Sequence, residues 1–147
     1  MLVVQETEHK FVVHPLERWL AIIGALGCLI LTILIWWQVS LHQGMWPLPA
    51  LYLIEIAALS VVSTLLFIRR APIGTILIWC NTGVLTAFFY VAGFSVGLYY
   101  LPLALIYALT SIIFDARNRG PFTTHLVIAV LAGAAQFAIM LLIFQVL

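Results

Sequence analysis

The feature that most constrains this chain is a run of 42 residues, Ile73–Phe114, that contains no charged side chain. A single helix of that length would measure about 63 Å, roughly twice the hydrocarbon thickness of a bilayer. The run therefore predicts two membrane-spanning helices. Its one break signal, Gly93–Gly97, divides it into spans at about residues 73–92 and 98–114.

Three further apolar stretches, at about residues 19–40, 50–68 and 123–146, complete the pattern. Over the whole chain 65% of the residues are hydrophobic and 7% are charged, against about 25% charged residues in a soluble domain. We predict an all-α fold, a polytopic transmembrane helical bundle with five spans. The predicted organisation is a cytoplasmic tail, residues 1–18, followed by one transmembrane domain, residues 19–147.

The composition also excludes several classes of function. A net charge of +1 without a basic stripe gives no electrostatic footprint for nucleic acid. Cys28 and Cys80 lie inside apolar runs and form no CxxC pair, so neither a disulfide framework nor a zinc site is predicted. We expect no metal and no cofactor. The expected partners are the lipid bilayer and either other membrane subunits or further copies of the chain.

The basic residues predict an orientation. All six fall in segments that alternate correctly across five spans, and the loops after spans one and three contain none. Short loops rich in Lys and Arg stay in the cytoplasm, so we predict a cytoplasmic amino terminus and a carboxyl terminus outside. The predicted cytoplasmic anchors, besides Lys10 in the tail, are Arg18, Arg69, Arg70, Arg117 and Arg119.

Glu55 is the one ionisable side chain well inside a span, about 9 Å below the outer boundary at Pro49. Counting from the ends of the spans puts three further polar residues at about the same level, roughly 10 Å from the outer boundary: Thr32, Thr86 and Gln136. Because the rotation of each helix is unknown, equal depth does not establish contact.

This layer of polar residues has three interpretations. It could form an outward-facing polar site in which Glu55 binds a proton or a cation. Glu55 could instead make a structural hydrogen bond to Gln136 or a backbone carbonyl and hold two helices together. As a third alternative, its charge reaches the outer headgroups by bending toward the surface.

Two other sets of polar residues are weaker candidates. Asn81 lies about 12 Å from the inner boundary, where it either ties its helix to a neighbour or lines an inner path toward Glu55. His14 and His125 share the cytoplasmic side, but His14 precedes a proline at a helix start, so we expect interfacial histidines and no haem.

Small residues recur every three or four positions on the first, third and last spans. Such faces let helix backbones approach closely. The sequence leaves open whether the partners of these faces are in the same chain or in another one. The residues are Ala21, Gly24, Ala25 and Cys28, then Gly83 and Ala87, then Ala129, Gly133, Ala134 and Ala138.

The sequence favours a non-catalytic subunit or accessory component of a larger membrane complex, because the connections are tiny and polar residues in the spans are scarce. The alternative is a small transporter or proton-coupled carrier that uses Glu55. An enzyme has little support, since the chain contains no motif for nucleophilic or metal-assisted catalysis. We expect an integral membrane protein of the inner membrane of a bacterium.

Overall fold

The computed structural model describes residues 12–42, 48–69, 72–92 and 96–146. Within these ranges the chain forms five α-helices and no strand: α1 (Pro15–His42), α2 (Leu48–Ile68), α3 (Pro72–Ala92), α4 (Gly97–Asn118) and α5 (Phe122–Val146). Each helix contains a stretch long and apolar enough to cross a membrane. The predicted all-α bundle of five membrane-spanning helices is confirmed, and the chain is an integral membrane protein.

The first four helices form a closed ring. α1 packs against α2 and α4, and α3 packs against the same two helices on the other side. Neighbours in the ring run antiparallel: Gly24 lies against Tyr107, and eight residues further along α1 the hydroxyl of Thr32 meets that of Tyr100. Sequential helices joined by short connections give this arrangement in helix bundles.

The fifth helix lies outside the ring, against α3, and touches α4 only slightly. The two helices cross at Gly83, where an added Cβ atom would meet the carbonyl oxygen of Ala129 and would lie 3.1 Å from the backbone nitrogen of Gly133. The small faces of α3 and α5 therefore have each other as partners. On α1, Gly24 and the buried Ala21 and Cys28 likewise face the ring of their own chain.

α1 begins at Pro15, four residues before the predicted span. Glu17 explains the earlier start, because its Oε2 accepts the backbone N–H of His14 at 2.8 Å, as the third residue of a capping box does. Pro15 then occupies the first helical position, where its missing N–H needs no partner. The end of the predicted tail, residues 15–18, thus belongs to the helix, while residues 1–11 lie outside the described ranges.

α4 continues to Asn118, four residues beyond the predicted end of its span. The charged sequence after the predicted end thus forms the last turn of the helix, in which Asp115 is buried, at 2% exposed, and Arg117 is exposed. Arg119 ends the helix in the left-handed conformation, with φ 49°. At the other end Gly97 opens the helix after the N-cap residue Val96, and residues 93–95 of the predicted break lie outside the described residues.

Candidate functional site

Glu55 and Gln136 are joined by a hydrogen bond in which Nε2 of Gln136 donates to Oε2 of Glu55 at 3.0 Å. The bond links α2 to α5, which make no close backbone contact among the described residues, since each packs against α3. Glu55 is exposed on the surface of the bundle, whereas Gln136 is only 6% exposed. The carboxyl group therefore faces away from the ring and is tethered by a side chain of the last helix.

Tyr52 lies one turn before Glu55, on the same face of α2. Its hydroxyl oxygen is buried and has no hydrogen-bond partner among the described residues. Buried polar atoms are rarely left in this state, and each exception calls for an explanation. Tyr52, Glu55 and Gln136 form one polar surface, called here the α2–α5 surface.

The other two residues predicted at this level lie elsewhere. Thr32 faces the interior of the ring, where its hydroxyl is 3.1 Å from that of Tyr100. Thr86 is exposed on α3 and donates to the carbonyl of Thr82 in its own helix. Of the four residues predicted at one level, Glu55 and Gln136 are hydrogen-bonded to each other, and Thr32 and Thr86 have other partners within the described part of the chain.

Neutral polar groups fill the centre of the ring. Tyr107, with no exposed surface, donates its hydroxyl proton to the carbonyl of Ser60 at 3.3 Å and lies 3.2 Å from the hydroxyl of Thr64. Thr64 in turn donates to the carbonyl of Ala21. Three helices, α1, α2 and α4, are therefore connected through two hydroxyl groups.

Asn81 adds α3 to this network by donating from Nδ2 to the hydroxyl of Ser60 at 3.3 Å. The bond is the helix-to-helix tie that one interpretation of Asn81 expects. The amide oxygen of Asn81 is buried and unbonded among the described residues. Asn81 is buried in the ring, whereas the carboxyl group of Glu55 is exposed on the outer side of α2.

The predicted basic anchors gather at one end of the bundle, which we call the basic end. The described ones are Arg18, Arg69, Arg117 and Arg119, and Arg70 lies outside the described residues. Arg69 and Arg119 are exposed. Arg117 forms an ion pair with the fully buried Glu17 at 3.2 Å and so joins the end of α4 to the start of α1.

Asp115 ties three helices together at the basic end. Its Oδ2 accepts a hydrogen bond from Nε1 of Trp79 on α3 at 3.1 Å and lies 2.8 Å from Nδ1 of His125 on α5. The carboxyl group has no exposed surface, and the ring of His125 is 13% exposed. The pair is therefore a structural link between α4 and α5 at a buried position.

Beyond this link α4 and α5 separate and leave a groove of about 720 Å³ whose floor is α3. Glycine and alanine residues line much of it. The aromatic rings of Trp79 and Phe122 lie at its basic end, and those of Tyr90 and Phe137 lie at the other. The two rings at the basic end pack edge to face, with centroids 5.6 Å apart. The groove is open along the side of the bundle.

Cofactor chemistry has few possible ligands in the described ranges. No group of three His, Cys, Asp or Glu side chains lies together there in a way that could hold a metal ion. His125 is bonded to Asp115, and His14 lies at the start of α1, where its ring accepts the N–H of Leu16 at 3.4 Å. Cys28 is buried and Cys80 is half-buried, and both are free thiols.

Sequence reasoning missed the buried acids at the basic end. The extent of the apolar runs places Glu17 in the predicted tail and Asp115 after the predicted end of the fourth span. A local signal existed for the start of α1, because Pro15 suits the first turn of a helix, but nothing local marked Glu17 as buried. Asp115 has no local signal either, since its partners Trp79 and His125 are set by the tertiary packing.

The geometry of these sites stands without support from related proteins. The comparisons with family models, with curated proteins and with solved structures found no match to this chain.

Proposed function

We propose that the protein is a non-catalytic subunit or accessory component of a larger membrane complex, whose partner contacts the α2–α5 surface. The observation that carries the proposal is the exposed position of Glu55, about 10 Å into an apolar helix. Acidic residues inside membrane spans usually face a bundle interior or a water-filled cavity, because a carboxylate in hydrocarbon is costly. A partner helix over this surface would supply the enclosure that the described part of the chain does not.

The hydrogen bonding of the surface supports the same conclusion. Among the described residues Glu55 has one hydrogen bond, to one of its two oxygens, and the hydroxyl of Tyr52 beside it has none. The second carboxyl oxygen of Glu55 can accept a further hydrogen bond, whereas the hydroxyl of Tyr52 is buried beneath the surface. The surface is therefore matched by a transmembrane helix that brings a donor to this level, such as Ser, Thr, Asn, Gln or a basic side chain.

The interior of the ring supports a structural role for the chain itself. Its hydroxyl and amide groups bond one another or backbone carbonyls, as at Tyr107, Thr64 and Asn81. Interhelical hydrogen bonds of this kind hold helices together in membranes. Glu55, the residue on which the carrier alternative depends, lies outside this network.

The proposal includes an orientation and a location. The arginines of the described ranges lie at one end of the bundle, which supports a cytoplasmic amino terminus and a carboxyl terminus outside. The small size of the segments between the helices favours the inner membrane of a bacterium as the location. The partner is either a different subunit or a second copy of the chain.

Purification from the native membrane in a mild detergent tests the proposal. We expect the wild-type protein to arrive with a stoichiometric membrane partner, or as a defined oligomer, and the Glu55→Leu variant to arrive without it. Thr86→Val is the matched control, because it removes an exposed polar group from α3 on another face of the bundle. Melting temperatures of all three purified proteins show whether a lost partner reflects loss of the fold.

A wild-type protein that arrives as a stable, isolated monomer would contradict the proposal. The carrier alternative then becomes testable by proton flux in vesicles. Flux that is present in the wild type and absent in Glu55→Gln, at equal protein content, would support the carrier.

A further inference from the structure

We infer that the groove between α4 and α5 binds one acyl chain of an anionic phospholipid, whose headgroup lies at the basic end beside Arg119. This site is separate from the α2–α5 surface and does not depend on the function proposed for that surface. The inference rests on the shape of the groove, on the chemistry of its wall and on the charge at its end.

The shape of the groove fits a hydrocarbon chain. The groove extends along α5 from Phe122 to Phe137, which is about 22 Å at the helical rise. Its volume of about 720 Å³ then corresponds to a mean cross-section of about 33 Å². The groove is therefore long and narrow, as an extended acyl chain is.

The wall of the groove presents hydrocarbon. Gly83 on the floor and Ala134 on the α5 side leave the space that larger side chains would fill. Three polar side chains of α3 in the wall are already bonded: Thr82 donates to the carbonyl of Ile78, Thr86 to that of Thr82, and Trp79 to Asp115. The fourth, Tyr90, is exposed at the end of the groove away from the basic end. An occupant therefore needs no polar group along this part of its length.

The charge at the basic end selects the headgroup. The Asp115–His125 pair joins α4 to α5 where the groove begins, and Arg119 follows in the connection between the two helices. Arg119 is exposed and forms no ion pair with a described residue, whereas the neighbouring Arg117 is paired with Glu17. The two described acids at this end, Glu17 and Asp115, are buried. Among the described residues an anionic headgroup thus meets a cation and no exposed carboxylate there.

The experiment uses delipidated full-length protein in detergent, titrated with phosphatidylglycerol or phosphatidylcholine of the same acyl chains. Bound lipid is counted by native mass spectrometry, and the melting temperature is followed in parallel. We expect phosphatidylglycerol to bind about fivefold more tightly, the factor expected from one basic residue near a lipid surface. At equal concentration, the lipid that binds more tightly should raise the melting temperature more.

Two variants with matched controls locate the site. Arg119→Gln should lower the affinity for phosphatidylglycerol to that for phosphatidylcholine, while Arg69→Gln, an exposed arginine beyond the end of α2, should not. Ala134→Leu should weaken both lipids by filling the groove. Ala138→Leu, exposed one turn further along α5 but not part of the groove wall, should leave both as in the wild type.

Ala108→Leu fills the groove from α4 and replaces Ala134→Leu if that variant does not fold. Equal affinity of the wild type for the two lipids would overturn the inference, as would wild-type lipid binding by either groove-filling variant. Inorganic phosphate that stabilises the protein as well as phosphatidylglycerol does would show an anion site without a role for the acyl chain. Loss of a co-purifying protein from the groove variants, with lipid binding intact, would make the groove a protein interface.

Discussion

Asp115 shows how a single side chain can hold the basic end of the bundle together. It accepts from Trp79 and is paired with His125, so one oxygen atom connects α4 to both α3 and α5. All three side chains are enclosed or nearly so. In such surroundings the removal of one partner costs more than the bond contributes, because the other groups stay buried without an acceptor.

Replacement of Asp115 by alanine should therefore destabilise the protein. The variant leaves the indole N–H of Trp79 and the ring nitrogen of His125 without an acceptor, and we expect the free energy of unfolding to fall by about 2–4 kcal/mol. Unfolding in mixed detergent, followed by the loss of helical circular dichroism, measures the change. Asp115→Asn is the control and should lose less, because its amide oxygen still accepts one bond. Equal losses for the two variants would show that the acceptor is not what matters.

The sequence predicted a common depth for several polar residues and gave the hydrogen bond between Glu55 and Gln136 as one of three alternatives. Helical rise alone put Glu55 and Gln136 at one level, and the structure joins them across 81 positions of the chain. The same arithmetic put Thr32 at that level, yet Thr32 faces Tyr100 inside the ring. The difference is helix rotation, which depends on packing against neighbours and is weakly encoded when a helix is apolar on every side.

Among the helix pairs, that of α3 and α5 is the one whose packing depends most on a glycine, which has no Cβ atom. At Gly83 the backbone of α3 approaches Ala129 and Gly133 so closely that a Cβ atom has no room. The spacing of small residues in the sequence predicted faces of close approach, and the crossing of α3 with α5 uses two of those faces. The sequence could not say that the partners are in one chain, because a small-residue face carries no information about what packs on it.

A leucine at Gly83 should force α3 and α5 apart. The contact to be relieved is with backbone atoms, which cannot rotate away, so we expect a loss of about 2–3 kcal/mol in the free energy of unfolding. Unfolding in mixed detergent provides the measurement. Ala135→Leu, on the exposed side of α5, adds a similar side chain without touching α3 and should change stability little. A Gly83→Leu variant as stable as Ala135→Leu would mean that the two helices are not in close contact.

For the molecule as a whole, the alternation of charge was the most informative signal. The predicted anchors, taken from positions as distant as Arg18 and Arg119, gather at one end of the described structure. Five antiparallel spans explain this directly, because each crossing takes the chain from one end of the bundle to the other. Residues separated by an even number of crossings, such as Arg18 and Arg119, therefore lie at the same end. Packing inside the bundle does not determine which end faces the cytoplasm, so the orientation rests on the rule for positive residues.

Cysteine labelling tests that orientation. With Cys28 and Cys80 replaced by alanine, Gln43→Cys should react with a membrane-impermeant maleimide in intact cells, because it follows the first span. Asn118→Cys, at the end of α4, should react only after the membrane is permeabilised. Asn118 is only partly accessible, so a cysteine there can escape labelling because of packing alone. Arg119→Cys, one residue later and exposed, is the control for this effect. Labelling of Gln43→Cys and Arg119→Cys from the same side would contradict an odd number of crossings between them. Labelling of each from the side opposite to the one expected would invert the orientation but leave the five spans intact.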